Sequence, residues 1–126
     1  MRAEVSKKME FAAAHFLPNY EGKCHATHGH TWEVEVTISG EINDKTGMVV
    51  DFVELKKVLE PIIDQFLDHH LLNDTVPNPT AENLAVFLFF AVGNAMWKLP
   101  GRSGELGCLE AVTVWESRDS KAMVRG

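Results

Sequence analysis

Cysteine is scarce in this chain. Two residues among 126, Cys24 and Cys108, exclude a disulfide framework and read as reduced thiols. Long apolar runs are also missing. The longest, Leu84 to Gly93, has ten residues, whereas a membrane-spanning helix needs about 20. Met1 to Phe11 carries Glu4, Lys7, Lys8 and Glu10 and lacks the apolar centre of a secretory signal. Positive charge is in deficit: 12 Lys and Arg face 18 Asp and Glu, a net charge of −6. No basic stripe interrupts this acidity, which argues against a nucleic-acid partner. An anionic small substrate stays open, because a site needs only a few local cations. With no repeats or linkers, the expectation is one cytoplasmic domain over residues 1–126.

What is present is a clear order of periodicities. From Val5 to His15 the odd positions Val5, Lys7, Met9, Phe11, Ala13 and His15 are mostly apolar. From His28 to Ser39 the even positions are His28, His30, Trp32, Val34, Val36 and Ile38, against Thr31, Glu33, Glu35 and Thr37. Period two predicts two long strands, each with one buried and one wet face. A turn at Asn43 to Gly47 and a short apolar stretch, Met48 to Val50, lead to the capping pair Asp51 and Glu54. The stripe Leu55, Val58, Leu59, Ile62, Ile63 and Phe66 then predicts one helix. Pro61 and the Lys57 carbonyl it frees lie on its polar side, so a kink is expected rather than a break.

Leu71 to Pro79 reads as a loop. Thr80 is placed as the N-cap of a second helix running to about Lys98 and ended by Pro100 and Gly101. That helix is apolar almost all round, which predicts burial on several sides. Leu109 to Ser117 and Ala122 to Arg125 read as a closing hairpin. The sum is an α+β layer pair, a four-stranded antiparallel sheet covered by two antiparallel helices. Its long edge strands predict assembly into a homo-oligomer.

Four of the six histidines fall between residues 15 and 30. His28 and His30 share one face of a strand, and His15 shares the buried parity of another. Three inward imidazoles need partners, and Zn²⁺ suits several neutral rings at once. Gly29 between two of them suggests room for close approach. The bland alternative is hydrogen bonding of His28 and His30 to backbone carbonyls. Cys24 fits either a fourth metal ligand or a thiolate base beside the metal. Asp68-His69-His70 fits an acid–base dyad or simply histidines favoured by a helix C-terminus. Cys108 reads as a small core residue.

Phe11-Ala12-Ala13-Ala14-His15, Cys24-His25-Ala26-Thr27-His28-Gly29-His30 and Leu67-Asp68-His69-His70 together resemble the 6-pyruvoyltetrahydropterin synthase family. The spacing from Cys24 to His28 is closest to its 6-carboxytetrahydropterin synthase branch, which serves queuosine biosynthesis. The resemblance implies the tunnelling fold (T-fold), in which trimers close their sheets into a barrel and two trimers stack as a hexamer with active sites between subunits. By position it implies zinc on His15, His28 and His30, and Cys24 as proton acceptor. Asp68 with His69 becomes the catalytic dyad, and Glu116 the carboxylate that anchors a pterin; Thr80 is a further pterin contact. The implied substrate is 7,8-dihydroneopterin triphosphate, cleaved to 6-carboxytetrahydropterin, acetaldehyde and triphosphate. Within the family the alternative is triphosphate elimination without carbon–carbon cleavage. Outside it, a non-catalytic zinc module is the competing expectation. Lys23, Arg118 and Lys121 are candidate triphosphate cations; His25 and His70 receive no role. Thr27 stands where some bifunctional relatives carry Glu, which speaks against the aldolase-like branch.

Overall fold

Alternation pairs the first two strands along their whole length. In the computed structural model, which describes residues 1–97 and 107–126, strand β1 (Arg2–His15) lies antiparallel to β2 (His28–Glu41) from Arg2–Glu41 to His15–His28. Strand β3 (Cys108–Ser117) pairs with β2, and β4 (Ser120–Arg125) with β3, so the sheet order follows the chain. Both predicted N-terminal strands are therefore present and slightly longer than the alternation suggested.

One sheet face carries Phe11, Ala13, Trp32, Val34, Val36, Ile38, Val112 and Val114, all buried. The other is polar along β1 and β2, as expected, although Ala111 and Thr113 of β3 are buried on it. There Lys8 Nζ meets Glu33 at 2.9 Å, the Ser6 and Thr37 hydroxyls bond at 2.9 Å, and Lys8 Nζ sits 4.2 Å over the Trp115 ring.

Helix α1 (Phe52–Phe66) runs through Pro61 without interruption, with Lys57 and Pro61 both exposed. Asp51 Oδ1 caps it by accepting the Val53 N–H at 2.8 Å. Glu54 does not complete the expected capping pair but turns to Lys57 at 3.6 Å. Leu55, Val58, Leu59, Ile62 and Ile63 are buried, as the stripe predicts. The following loop contains a short 3₁₀ turn, Leu72–Asp74, whose Leu72 plugs the core.

Helix α2 (Ala81–Trp97) starts where Thr80 Oγ1 accepts the Asn83 N–H at 3.1 Å. Its expected end at Lys98, Pro100 and Gly101 lies outside the described residues. Burial on several sides is not what the helix shows. Leu84, Ala85, Leu88, Val92 and Met96 face the core, while Val86 and Phe90 are exposed, Phe90 at 67%. A single sheet gives α2 one layer to pack on, and α1 touches only part of its flank, so an all-round apolar helix keeps one bare side.

Cys108 likewise departs from expectation: it is exposed, not core, because it opens β3 opposite Ser39 at the sheet's end. No helix of the described residues is long and apolar enough to cross a membrane.

Candidate metal centre

The centre follows from strand register. His15 ends β1 directly opposite His28, and His30 lies two residues along β2 on the same face. This is the last pair of the ladder, so the imidazoles gather at the rim of the sheet, over Trp32. Ring centroids of His15 and His28 are 4.6 Å apart, and those of His28 and His30 4.8 Å. Trp32 is fully buried below, edge-on to His15 at 4.9 Å and to His30 at 5.3 Å. Its indole N–H donates to the Ala13 carbonyl at 3.2 Å, which satisfies the ring without using the histidines.

Hydrogen bonds select which nitrogen each ring offers. His15 Nδ1 is 2.8 Å from the Pro79 carbonyl, and His28 Nδ1 is 2.7 Å from the Ala26 carbonyl. A carbonyl oxygen only accepts, so Nδ1 carries the proton in both rings. The two Nε2 atoms, 3.1 Å apart, then face each other with lone pairs when the rings are neutral. Two acceptors at that distance repel unless a cation lies between or beside them. His30 Nε2 is buried and has no hydrogen-bond partner among the described residues. Burial pulls the His30 imidazole below the usual histidine range; His15 and His28 press the same way, against the pull of Glu116. A neutral ring keeps the lone pair that a metal needs.

Glu116 completes the group. Its Oε1 lies 3.4 Å from His30 Nε2, and one ligand atom from each of His15, His28, His30 and Glu116 falls within 4.8 Å of the others. Tetrahedral zinc with bonds of about 2.0–2.1 Å would set ligand nitrogens about 3.3 Å apart. The donor set therefore fits a divalent metal. Cys24 is not in this group among the described residues. It sits half-buried in a 3₁₀ turn, Lys23–His25, between the strands. Gly29 faces away from the centre, and a Cβ there would meet only the Ala13 carbonyl at 3.9 Å. The expected steric need for glycine between two ligands is not found.

The second cluster is real in geometry. His69 Nδ1 meets Asp68 Oδ2 at 2.9 Å, while Asp68 Oδ1 accepts the Ala12 N–H at 2.9 Å. His69 adopts φ of 58°, a left-handed conformation rare outside glycine. Its own N–H donates to the Ala12 carbonyl at 2.7 Å, and this two-point grip on Ala12 holds the turn. The Ala12 amide, assisted by His69 and His70, keeps the Asp68 carboxyl below the usual carboxylate range against the effect of burial. The His69 side chain is 81% exposed, so its ring points outward beside the edge of β1 at Ala12. Among the described residues His70 Nδ1 bonds only the Asp68 carbonyl, at 2.7 Å.

The remaining candidates divide. Thr80 is placed as a helix cap, one residue from the carbonyl that orients His15. His25 borders an open depression with Pro18, Tyr20 and Glu21. Lys23 and Arg118 are exposed, and Lys121 leans over Trp115 at 5.5 Å. Sequence reasoning did not find the carbonyls of Ala26 and Pro79. Backbone acceptors leave no signature in residue type, although Pro79 is fixed in place before the α2 cap.

The family model for 6-pyruvoyl tetrahydropterin synthase matches residues 4–126. The chain is similar to a 6-carboxy-5,6,7,8-tetrahydropterin synthase of Synechocystis, 40% identical over 91 residues, 68% of this chain and 70% of that protein. It is also similar to a dihydroneopterin monophosphate aldolase of Pyrococcus furiosus, 35% identical over 119 residues and 94% of each chain. The fold is shared with the 6-pyruvoyl tetrahydropterin synthase of Caenorhabditis elegans, at a TM-score of 0.85 and 26% identity, covering 100% of this chain and 96% of that one. With the match spanning all four strands, both helices and the whole histidine group, the chain belongs to the 6-pyruvoyl tetrahydropterin synthase family of pterin-processing enzymes.

Proposed function

We propose that this protein is a zinc-dependent carbon–carbon lyase that converts 7,8-dihydroneopterin triphosphate and water to 6-carboxy-5,6,7,8-tetrahydropterin, acetaldehyde and triphosphate, in the deazapurine branch that leads to queuosine. The observation that carries the reading is the convergence of one ring nitrogen each from His15, His28 and His30, two of the rings with tautomers set by carbonyls. Similarity to the Synechocystis protein supports the carboxy product. Zinc held by His15, His28 and His30 would polarise the hydroxyls of the substrate side chain and ease loss of their protons.

This chain's own groups supply the rest. Glu116 offers a carboxylate that suits paired N–H donors such as those of a pterin edge. Cys24 Sγ, outside the ligand group, is free to take a proton from the side chain of the substrate. His69 commits Nδ1 to Asp68, which leaves Nε2 to exchange a proton with the substrate on the other side. Thr80 borders the pterin, and Lys23, Arg118 and Lys121 supply cations for triphosphate. The reduced thiol of Cys24 suits a cytoplasmic location. The active assembly is a hexamer of two barrel-forming trimers, with each site completed between subunits.

Incubation of the zinc-loaded protein with dihydroneopterin triphosphate tests the reading. Mass identification of 6-carboxytetrahydropterin together with stoichiometric acetaldehyde is the expected result. A pyruvoyl product without acetaldehyde would sink it in favour of simple elimination. Cys24→Ala separates catalysis from a structural zinc module: the expected variant keeps its zinc and loses turnover, whereas loss of zinc would make Cys24 a ligand.

A further inference from the structure

The segment from Asp68 to Asn73 runs along the outer edge of β1 and is fastened to it at intervals. Ala12 gives its N–H to Asp68 Oδ1 and its carbonyl to His69. Ala14 gives its N–H to the His70 carbonyl at 3.4 Å. Farther on, Asn73 does with one side chain what a neighbouring strand does with its backbone. Its Oδ1 accepts the Phe16 N–H at 3.0 Å, and its Nδ2 donates to the Phe16 carbonyl at 2.9 Å. A longer contact joins Nδ2 to the Pro77 carbonyl at 3.5 Å.

The position of this clamp is informative. Pairing between β1 and β2 stops at His15–His28, so beyond His15 no ladder directs the chain. Phe16 is the next residue. Leu17, one further, donates its N–H to the Cys24 carbonyl at 2.9 Å. Asn73 thus reaches the Cys24 segment through one clamped residue and one backbone hydrogen bond. The same amide touches the loop whose Pro79 carbonyl orients His15.

We propose that Asn73 is a positioning residue for Cys24, holding the departing end of β1 so that the thiol keeps a defined place beside the histidine centre while Asn73 itself touches no substrate. The proposal rests on the reading of Cys24 as the base and deepens it. Asn73→Ala removes both halves of the clamp. Asn73→Asp keeps the acceptor for the Phe16 N–H and turns the donor to its carbonyl into a repelling oxygen.

The experiment uses the full zinc-loaded chain in a Cys108→Ser background, since Cys108 is exposed and would compete for reagent. Cys24 alkylation by iodoacetamide, bound zinc, and kcat and KM on dihydroneopterin triphosphate are measured for both variants. Zinc is expected to stay at the wild-type content and the alkylation rate to rise several-fold. A drop in kcat of about tenfold or more with little change in KM is expected for Ala, with Asp also impaired. If Ala fails to fold, Asp carries the test. Unchanged alkylation and kcat beside a lowered melting temperature would reduce Asn73 to a stabilising contact and overturn the proposal, as would loss of zinc from both variants. Should the wild type fail to turn over this substrate while the variants still change alkylation, the enzymatic reading falls and the positioning role stands.

Discussion

His15 and His28 each give one ring nitrogen to a backbone carbonyl, and that exchange leaves the Nε2 of each ring facing the histidine group, where it could hold a metal. His15 is fully buried, so while both rings are neutral with Nδ1 protonated its Nε2 opposes that of His28 at 3.1 Å. The carbonyl bond of the bland sequence reading of His28 is present and occupies Nδ1, which leaves Nε2 toward His15 for a metal to use. Binding to the folded state alone should then stabilise the fold. At free zinc about 1,000-fold above the dissociation constant, linkage predicts about 4 kcal/mol. Calorimetry and denaturant unfolding of chelator-stripped and zinc-loaded protein should show one zinc per chain and a shift of that order. His28→Ala should abolish the shift, and a chelator without effect on the wild type would refute the assignment.

At the scale of elements, the edge of β1 is the informative feature. Its upper part is covered by the turn after α1, and Asp68 is the fastener, holding Ala12 N–H and His69 Nδ1 at once. Because the folded carboxyl lies below its ordinary value, the stabilisation is present above the unfolded pKa of about 3.9 and fades as pH falls through the folded one. Asp68→Ala would strand the Ala12 N–H, at a cost of about 1 kcal/mol given its partial exposure. Urea unfolding should show that deficit undiminished from pH 7 to pH 5 and shrinking below about pH 4; a deficit unchanged at pH 3 would place its origin elsewhere.

The elements themselves were largely legible. Period-two spacing announced β1 and β2, and a 3.6-residue stripe with Asp51 announced α1, since each is set by local chemistry. What was not legible depends on partners distant in sequence. The bare flank of α2 reflects how many layers surround it, and the clamp of Asn73 on Phe16 joins positions that no local pattern relates. The centre divides in the same way. Strand parity brought three histidines and Glu116 inward, while the orienting carbonyls came from loops.

At the scale of the whole molecule, the described residues leave several edges and apolar side chains open. From Arg2 to Glu10 the outer edge of β1 has no covering segment among the described residues, and β4 forms the opposite edge. Phe90 and Val86 on α2, with Phe52 and Val53 on α1, remain exposed. Open edges of this length favour strand-to-strand assembly, and closure around a symmetry axis would satisfy both edges in every copy. His69 points outward from β1, whereas the histidine group lies on the helix-facing side of the sheet rim. Sites built between copies would let the dyad of one chain serve the centre of another. A mixture of two inactive variants tests this. Cys24→Ala lacks the base and His69→Ala lacks the dyad, so neither alone should turn over substrate. Co-expressed in equal amounts, they should recover about a quarter of wild-type activity, the chance that a site draws an intact Cys24 from one copy and an intact His69 from another. If both groups act within one chain, every site in the mixture carries one lesion and no activity returns.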